Sequence, residues 1–172
     1  MSKIALVEQL FEEKLKDLNR ELPGKYREGK IDSQNCAALT MRGFLEILNT
    51  TDQNLINMAA PLAGITDICG AANSGLMIIG LIIGEKGGKS VHQITASTEG
   101  VRFLKQFKKR FGTIHCGELT GCNLMTREGM QSYMQDNIWE KKCYKNVIVA
   151  LEIIGSLYKA QIAKLIKEKD HV

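Results

Sequence analysis

The run from Ile68 to Gly84, ICGAANSGLMIIGLIIG, restricts this chain more than any other stretch. It has a cysteine second, passes through Gly70, Ala71, Ser74 and Gly75, and ends in a dense aliphatic block. Thr66 and Asp67 precede it as N-cap candidates, because their side-chain oxygens can accept the first free helical N–H groups. Gly84 and the Gly87-Gly88 pair are placed to stop it. Leu76 to Ile83 alone could form a strand, since a short apolar run does not reveal its period. The length of the whole run and its Ala-Ala-Asn-Ser start favour a helix. The small residues admit neighbouring backbones, and Leu76 onward is apolar on nearly every side, so the helix belongs at the centre of a bundle. A membrane span needs about 20 apolar residues. This run is shorter and contains Asn73 and Ser74, so it reads as a buried core helix in a chain that does not span a membrane. Cys69 falls in its first turn, where free N–H groups and the positive dipole end stabilise a thiolate.

The flanking sequence supports an all-α fold. Ser2 can cap a first helix carrying Ile4, Val7, Leu10, Phe11, Leu15, Leu18 and Leu22 on one stripe, ended by Pro23-Gly24. Residues 24 to 31 read as a basic loop. Asp32 or Ser33 then caps a second helix, about Gln34 to Leu48, with Cys36 in its first turn. The Thr50-Thr51-Asp52 segment starts a short third helix through Ala60, broken by Pro61 and Gly64. Beyond the central run, a helix from about His92 to Arg110 presents Val101, Leu104, Phe107 and Phe111, with Gly112 as its left-handed cap. The segment TIHCGELTGCN reads as a loop with one helical turn, and a short amphipathic piece follows Thr126. A last helix, about Asn137 to Lys167, carries Trp139, Cys143, Val147, Leu151, Ile154, Leu157 or Tyr158, Ile162 and Leu165 inward. At 1.5 Å per residue it would reach roughly 45 Å. The expectation is a single-domain bundle of about six to seven helices around residues 68–84.

A length of 172 residues suits one domain with a sizeable core. The net charge of +4 is mild. The cluster Lys105, Lys108, Lys109 and Arg110 reads as a solvated helix end facing the C-terminal dipole, so no nucleic-acid partner is expected. The N-terminus MSKIALVEQLFEEKLKDL contains acidic residues throughout and no signal-peptide core, which points to a cytoplasmic, reducing compartment. Five cysteines there (Cys36, Cys69, Cys116, Cys122 and Cys143) suit catalysis or metal binding more than structural disulfides.

Several motif readings fail. GEKGGKS, Gly84 to Ser90, leaves three residues where a phosphate loop needs four, and it closes a helix where the loop should open one; no nucleotide is expected. No CxxCH occurs, so c-type haem is excluded, and no CxxC occurs either. Of His92, His115 and His171, only His115 adjoins a cysteine, where it could ligate a metal, pair with a thiolate or remain solvated.

With those pieces in place, the chain resembles the C_GCAxxG_C_C family of redox-active proteins, known for four cysteines and a CGAxxG motif. The matching pieces are NCAALTM at Cys36, CGAANSGLMIIGLIIG at Cys69, FKKRFGTIHCGELTGCNL at Cys116 and KKCYKNVIVALEII at Cys143. They cover about residues 34 to 155. Ser74 stands where the motif has its last glycine, with Gly75 following it, and Cys122 is extra to the four. The resemblance implies a helical fold and redox activity centred on Cys36, Cys69, Cys116 and Cys143.

Three functions compete at this level. In the first, the four cysteines ligate an iron–sulfur cluster or another metal, with Gly70 and Ala71 beside the cofactor. The second is metal-free thiol–disulfide chemistry, with Cys69 as nucleophile and Cys36, Cys116 or Cys122 resolving. The third is a helical interaction protein with core cysteines. A redox partner protein is expected, and a homodimer is one arrangement open to the chain. Either redox reading requires the four sulfurs to converge from four separate segments.

Overall fold

The computed structural model describes residues 2–27, 35–84 and 89–169. The fold is all-α, with eight α-helices and no strand among the described residues. They are α1 (Lys3–Arg27), α2 (Cys36–Ile47), α3 (Gln53–Ala59), α4 (Gly70–Ile83), α5 (Lys89–Phe111), α6 (Cys116–Thr120), α7 (Arg127–Gln135) and α8 (Tyr144–Lys169). This exceeds the expected count because the Cys116 turn and the piece after Thr126 are separate short helices.

The central helix lies where expected, as α4. It packs against α2, α5 and α8, while α1 lies along α8. Ile78, Ile79 and Ile82 are buried, but Leu81 is 36% exposed, so the run is not enclosed on every side. Gly84 ends the helix at φ 58, the left-handed conformation glycine adopts without strain. The following Gly87-Gly88 pair lies outside the described residues. Gly75 is where α5 comes closest, since a Cβ there would stand 2.3 Å from the buried Phe103 ring.

Several boundaries differ from the sequence reading. Thr66 and Asp67 do not cap α4; its N-cap is Cys69. Residues 67–69 are instead drawn into an antiparallel bridge, Ile68 with His115, and this pairing holds the chain extended. Pro23 does not end α1, which runs four residues past it; a proline removes one N–H donor, and here the helix continues without it. The cap of α2 is Asn35, whose Oδ1 accepts from the Ala38 N–H at 3.0 Å, while Asp32, Ser33 and Gln34 lie outside the described residues. Ser2, Asp52 and Thr126 do cap α1, α3 and α7. On α5 the inward residues are Phe103 and Phe107, not Val101, which is 53% exposed. Those phenylalanines sit among the basic residues in sequence but are buried away from them.

The last helix is not one continuous rod. Trp139–Cys143 forms a π-helical turn that feeds α8, and Tyr158 breaks helical geometry within it at φ −125, ψ 22. Asn137 takes φ 51, turning the chain between α7 and the π turn. The inward stripe is otherwise as read: Trp139, Cys143, Val147, Leu151, Ile154, Tyr158 and Ile162 are all buried. Among the described residues, one helix (Trp139–Ile166) is long and apolar enough to cross a membrane, and 56% of its apolar window is buried within the protein. The helix Gly70–Ile83 is too short for that.

Candidate redox site

The site is assembled around the start of α4. Two backbone bonds pin it: the Cys69 N–H donates to Ile114 C=O at 2.8 Å, and the Cys116 N–H donates to Asp67 C=O at 2.7 Å. They flank the Ile68–His115 pair, so a short β-type bridge carries Cys69 and Cys116 together. Asn73, one turn into α4, holds the preceding loop, its amide donating to Thr66 Oγ1 at 2.7 Å and to the Ile68 and Leu62 carbonyls. Asn35 ties the start of α2 to the same region by donating to Ala60 C=O at 2.7 Å.

These ties bring Cys36 onto α4. A Cβ on Gly70 would lie 2.7 Å from Cys36 Sγ and 2.9 Å from Ala63 Cα, so glycine's missing side chain is the space the sulfur occupies. The Cys36 thiol donates a hydrogen bond to Cys69. This is the dominant influence on Cys69, whose pKa falls to about 7. The N–H groups of Ala71 and Ala72 add to it, as free donors of a helix start do, and so does the Asn146 amide 3.6 Å away. Burial opposes the shift, Cys69 being only 2% exposed, and is outweighed. Gly70 and Ala71, expected beside a cofactor, thus serve the thiol pair directly.

Cys36, Cys116 and Cys143 are shifted the other way. Cys36 is pushed well above its ordinary range by its bond to Cys69, then by burial and the neighbouring sulfurs. Burial is the main cause that raises Cys116 to about 11, followed by Cys69, Cys122 and Asp67. Burial also raises Cys143 to about 12, while a hydrogen bond from Tyr133 Oη at 3.3 Å works against it. All five cysteines are free thiols.

The structure therefore brings Cys36 and Cys69 into hydrogen-bonding contact and leaves Cys116 and Cys143 within electrostatic reach of Cys69. Among the described residues, no three His, Cys, Asp or Glu side chains are grouped closely enough to hold a metal ion. As arranged, the four thiols do not fit a closed tetrathiolate centre, which needs sulfurs about 4 Å apart. His115 faces Asp67, with Nδ1 at 2.7 Å from Oδ2, and joins no such group. His171 lies outside the described residues. An open cleft of about 550 Å³ adjoins the site, walled by Thr66, Asp67, Cys116, Cys122, Asn123 and Leu124.

Asn146 and Tyr133 are the functional residues sequence reasoning missed. Asn146 left a signal, a lone buried amide in the apolar stripe of KNVIVALEII; Tyr133 left none. Ser74, in the place of the motif's last glycine, is fully buried with its Oγ unpartnered among the described residues. The close approach of α5 uses Gly75 instead. No curated protein and no solved structure matches the chain. The family model described as Putative redox-active protein (C_GCAxxG_C_C) matches residues 34–157, so the chain belongs to that family.

Proposed function

We propose that this protein performs thiol–disulfide exchange through Cys69 and Cys36. One observation carries the reading: Cys36 Sγ occupies the space that Gly70 leaves beside the α4 N-cap Cys69, whose own sulfur lies 3.6 Å from the Asn146 amide, and the Cys69 pKa falls to about 7 there. A sulfur near pKa 7 is substantially thiolate at neutral pH, and thiolate is the attacking form. A disulfide sulfur presented to Cys69 is attacked, forming a mixed disulfide with Cys69 and expelling the other sulfur as a thiolate. The charge on Cys69 disappears at that moment, and with it the hydrogen bond and the repulsion that hold the Cys36 proton in place. Cys36 then attacks Cys69 Sγ, its proton passing to the second sulfur expelled. The substrate disulfide gains two electrons, and a Cys36–Cys69 disulfide records their loss. A reducing compartment would keep the resting thiols free, and a dithiol partner protein would restore the pair.

The test is equilibration in thiol–disulfide buffers of graded potential, followed by acid quench and disulfide mapping. One reversible two-electron step yielding the Cys36–Cys69 disulfide is expected. Oxidised protein that keeps both thiols would sink the assignment.

A metal centre on Cys36, Cys69, Cys116 and Cys143 is a second reading. Its support is that Cys36, Cys116 and Cys143 each have their ionisation opposed by neighbouring sulfur charge, a repulsion that a bound cation would relieve. The thiols would have to draw closer to hold it. A visible charge-transfer spectrum and stoichiometric metal after anaerobic purification are what this reading requires.

A further inference from the structure

We propose that the cleft beside α6 is the entry port for a low-molecular-weight disulfide, and that Cys116 is the thiol that meets it. The inference rests on the Cys69–Cys36 exchange reading and adds the route by which substrate reaches that pair. Cys69 is 2% exposed and does not line the cleft, so no external disulfide can approach it in line. Cys36 is also partly exposed, but it sits against Gly70 at the α2–α4 contact and does not line the cleft. Cys116 is partly exposed and forms part of the cleft wall. The volume of about 550 Å³ falls within the range of small-molecule sites. Its surface offers polar groups from Thr66, Asp67 and Asn123 beside apolar Ile65, Leu124 and Met125, a mixture suited to a compact polar disulfide.

The bridge supplies the inward connection. Cys69 and Cys116 flank the paired residues Ile68 and His115 diagonally, and successive side chains alternate faces, so both leave the bridge on one side. Diagonal neighbours lie roughly 7–8 Å apart between Cα atoms, at the outer edge of disulfide reach. A small shift of the five-residue α6 closes that distance.

The sequence of steps balances. Cys116 attacks R–S–S–R in its minor thiolate form, giving Cys116–S–S–R, and the R–S⁻ released takes up the proton that Cys116 gave to water. The Cys69 thiolate attacks Cys116 Sγ, expelling R–S⁻ and forming a transient Cys69–Cys116 disulfide. Cys36 attacks Cys69 Sγ, and its proton passes to the departing Cys116, which returns as a thiol. Two electrons have moved from the Cys36–Cys69 pair to the substrate.

The probe is 2-hydroxyethyl disulfide. Reduced protein is mixed with it, quenched with acid at short times, and mapped by peptide mass. The first adduct is expected on Cys116, and Cys116→Ser should slow oxidation of the Cys36–Cys69 pair by tenfold or more. Asn123→Trp, which fills the cleft and keeps every cysteine, should slow it likewise. A first adduct on Cys36 or Cys69, or wild-type rates in both variants, overturns the port. The pair itself is read separately, at equilibrium. A Cys116 adduct formed first, with no Cys36–Cys69 disulfide after long equilibration, keeps the port and removes the pair.

Discussion

Replacing Cys36 by alanine tests the central electrostatic claim. The Cys36 thiol is the largest of the causes that lower Cys69, ahead of the Ala71 and Ala72 N–H groups and Asn146. Without it, burial is opposed only by those lesser donors, and the Cys69 pKa should rise from about 7 toward its ordinary 9.0. A full return would cut the thiolate share at pH 7 from about one half to roughly one in a hundred, a factor of about 50. Each thiolate would also become more basic. With a Brønsted slope of about 0.45, two units make it about eightfold more nucleophilic. The net loss in exchange rate at neutral pH is therefore about sixfold, far smaller than the loss of thiolate. The direct assay is thiolate ultraviolet absorbance against pH, taken as the difference between Cys36→Ala and a Cys36→Ala, Cys69→Ser double variant. Absorbance needs no reagent to reach a buried sulfur. A midpoint that stays near 7 in Cys36→Ala would show that the helix start and Asn146 suffice, and the proton-sharing pair would have to be abandoned.

Three further outcomes follow from the same geometry. Ser74→Ala removes a buried hydroxyl with no partner among the described residues and should stabilise the fold by about 1–2 kcal/mol in urea denaturation; a loss of stability would mean that the hydroxyl is satisfied after all. Gly70→Ala places a Cβ within 2.9 Å of Ala63 Cα and 2.7 Å of Cys36 Sγ, so it should cost about 1–3 kcal/mol and raise the Cys69 pKa by displacing its donor; unchanged stability together with an unchanged thiolate midpoint would refute the packing argument. Cys143 stands at about 12 folded against 9.0 unfolded, so its protonated form contributes stability that is complete below pH 9.0 and lost as pH rises toward 12. Stability of Cys143→Ala should therefore fall less steeply above pH 9 than that of wild type, and parallel slopes would contradict this.

Much of the fold was legible because it rests on local patterns. The apolar density of Leu76–Ile83, the caps at Ser2 and Asp52, and the buried stripe from Trp139 to Ile162 all come from residues within a few positions of one another. The errors share a different cause. Thr66 and Asp67 are good cap residues, but the Asp67 C=O accepts from the Cys116 N–H and the nearby Cys69 N–H donates to Ile114 C=O, both more than forty residues away in sequence. Val101 has the correct spacing on α5, but the α4 surface with Gly75 receives Phe103 instead. Tertiary pairing decided both, and no periodicity within a helix records it.

The difference between Cys36 and Cys69 shows where local reading of a site stops. Both cysteines stand at helix starts, and from sequence both appear equally placed to become thiolates. Cys36 is the first residue of α2, and the donor at Ala38 is already taken by the Asn35 side chain. Cys69 is the N-cap of α4, one position earlier, and no cap oxygen competes for the Ala71 and Ala72 N–H groups that act on its sulfur. A single position therefore separates a cysteine that uses a helix start from one that merely sits there. The remaining bias is long-range: Asn146 reaches Cys69 from α8. Once one sulfur of a touching pair is favoured as the anion, its neighbour must keep its proton to donate, so the same contact lowers one pKa and raises the other. On the exchange reading proposed above, that asymmetry suits Cys69 to attack and Cys36 to resolution.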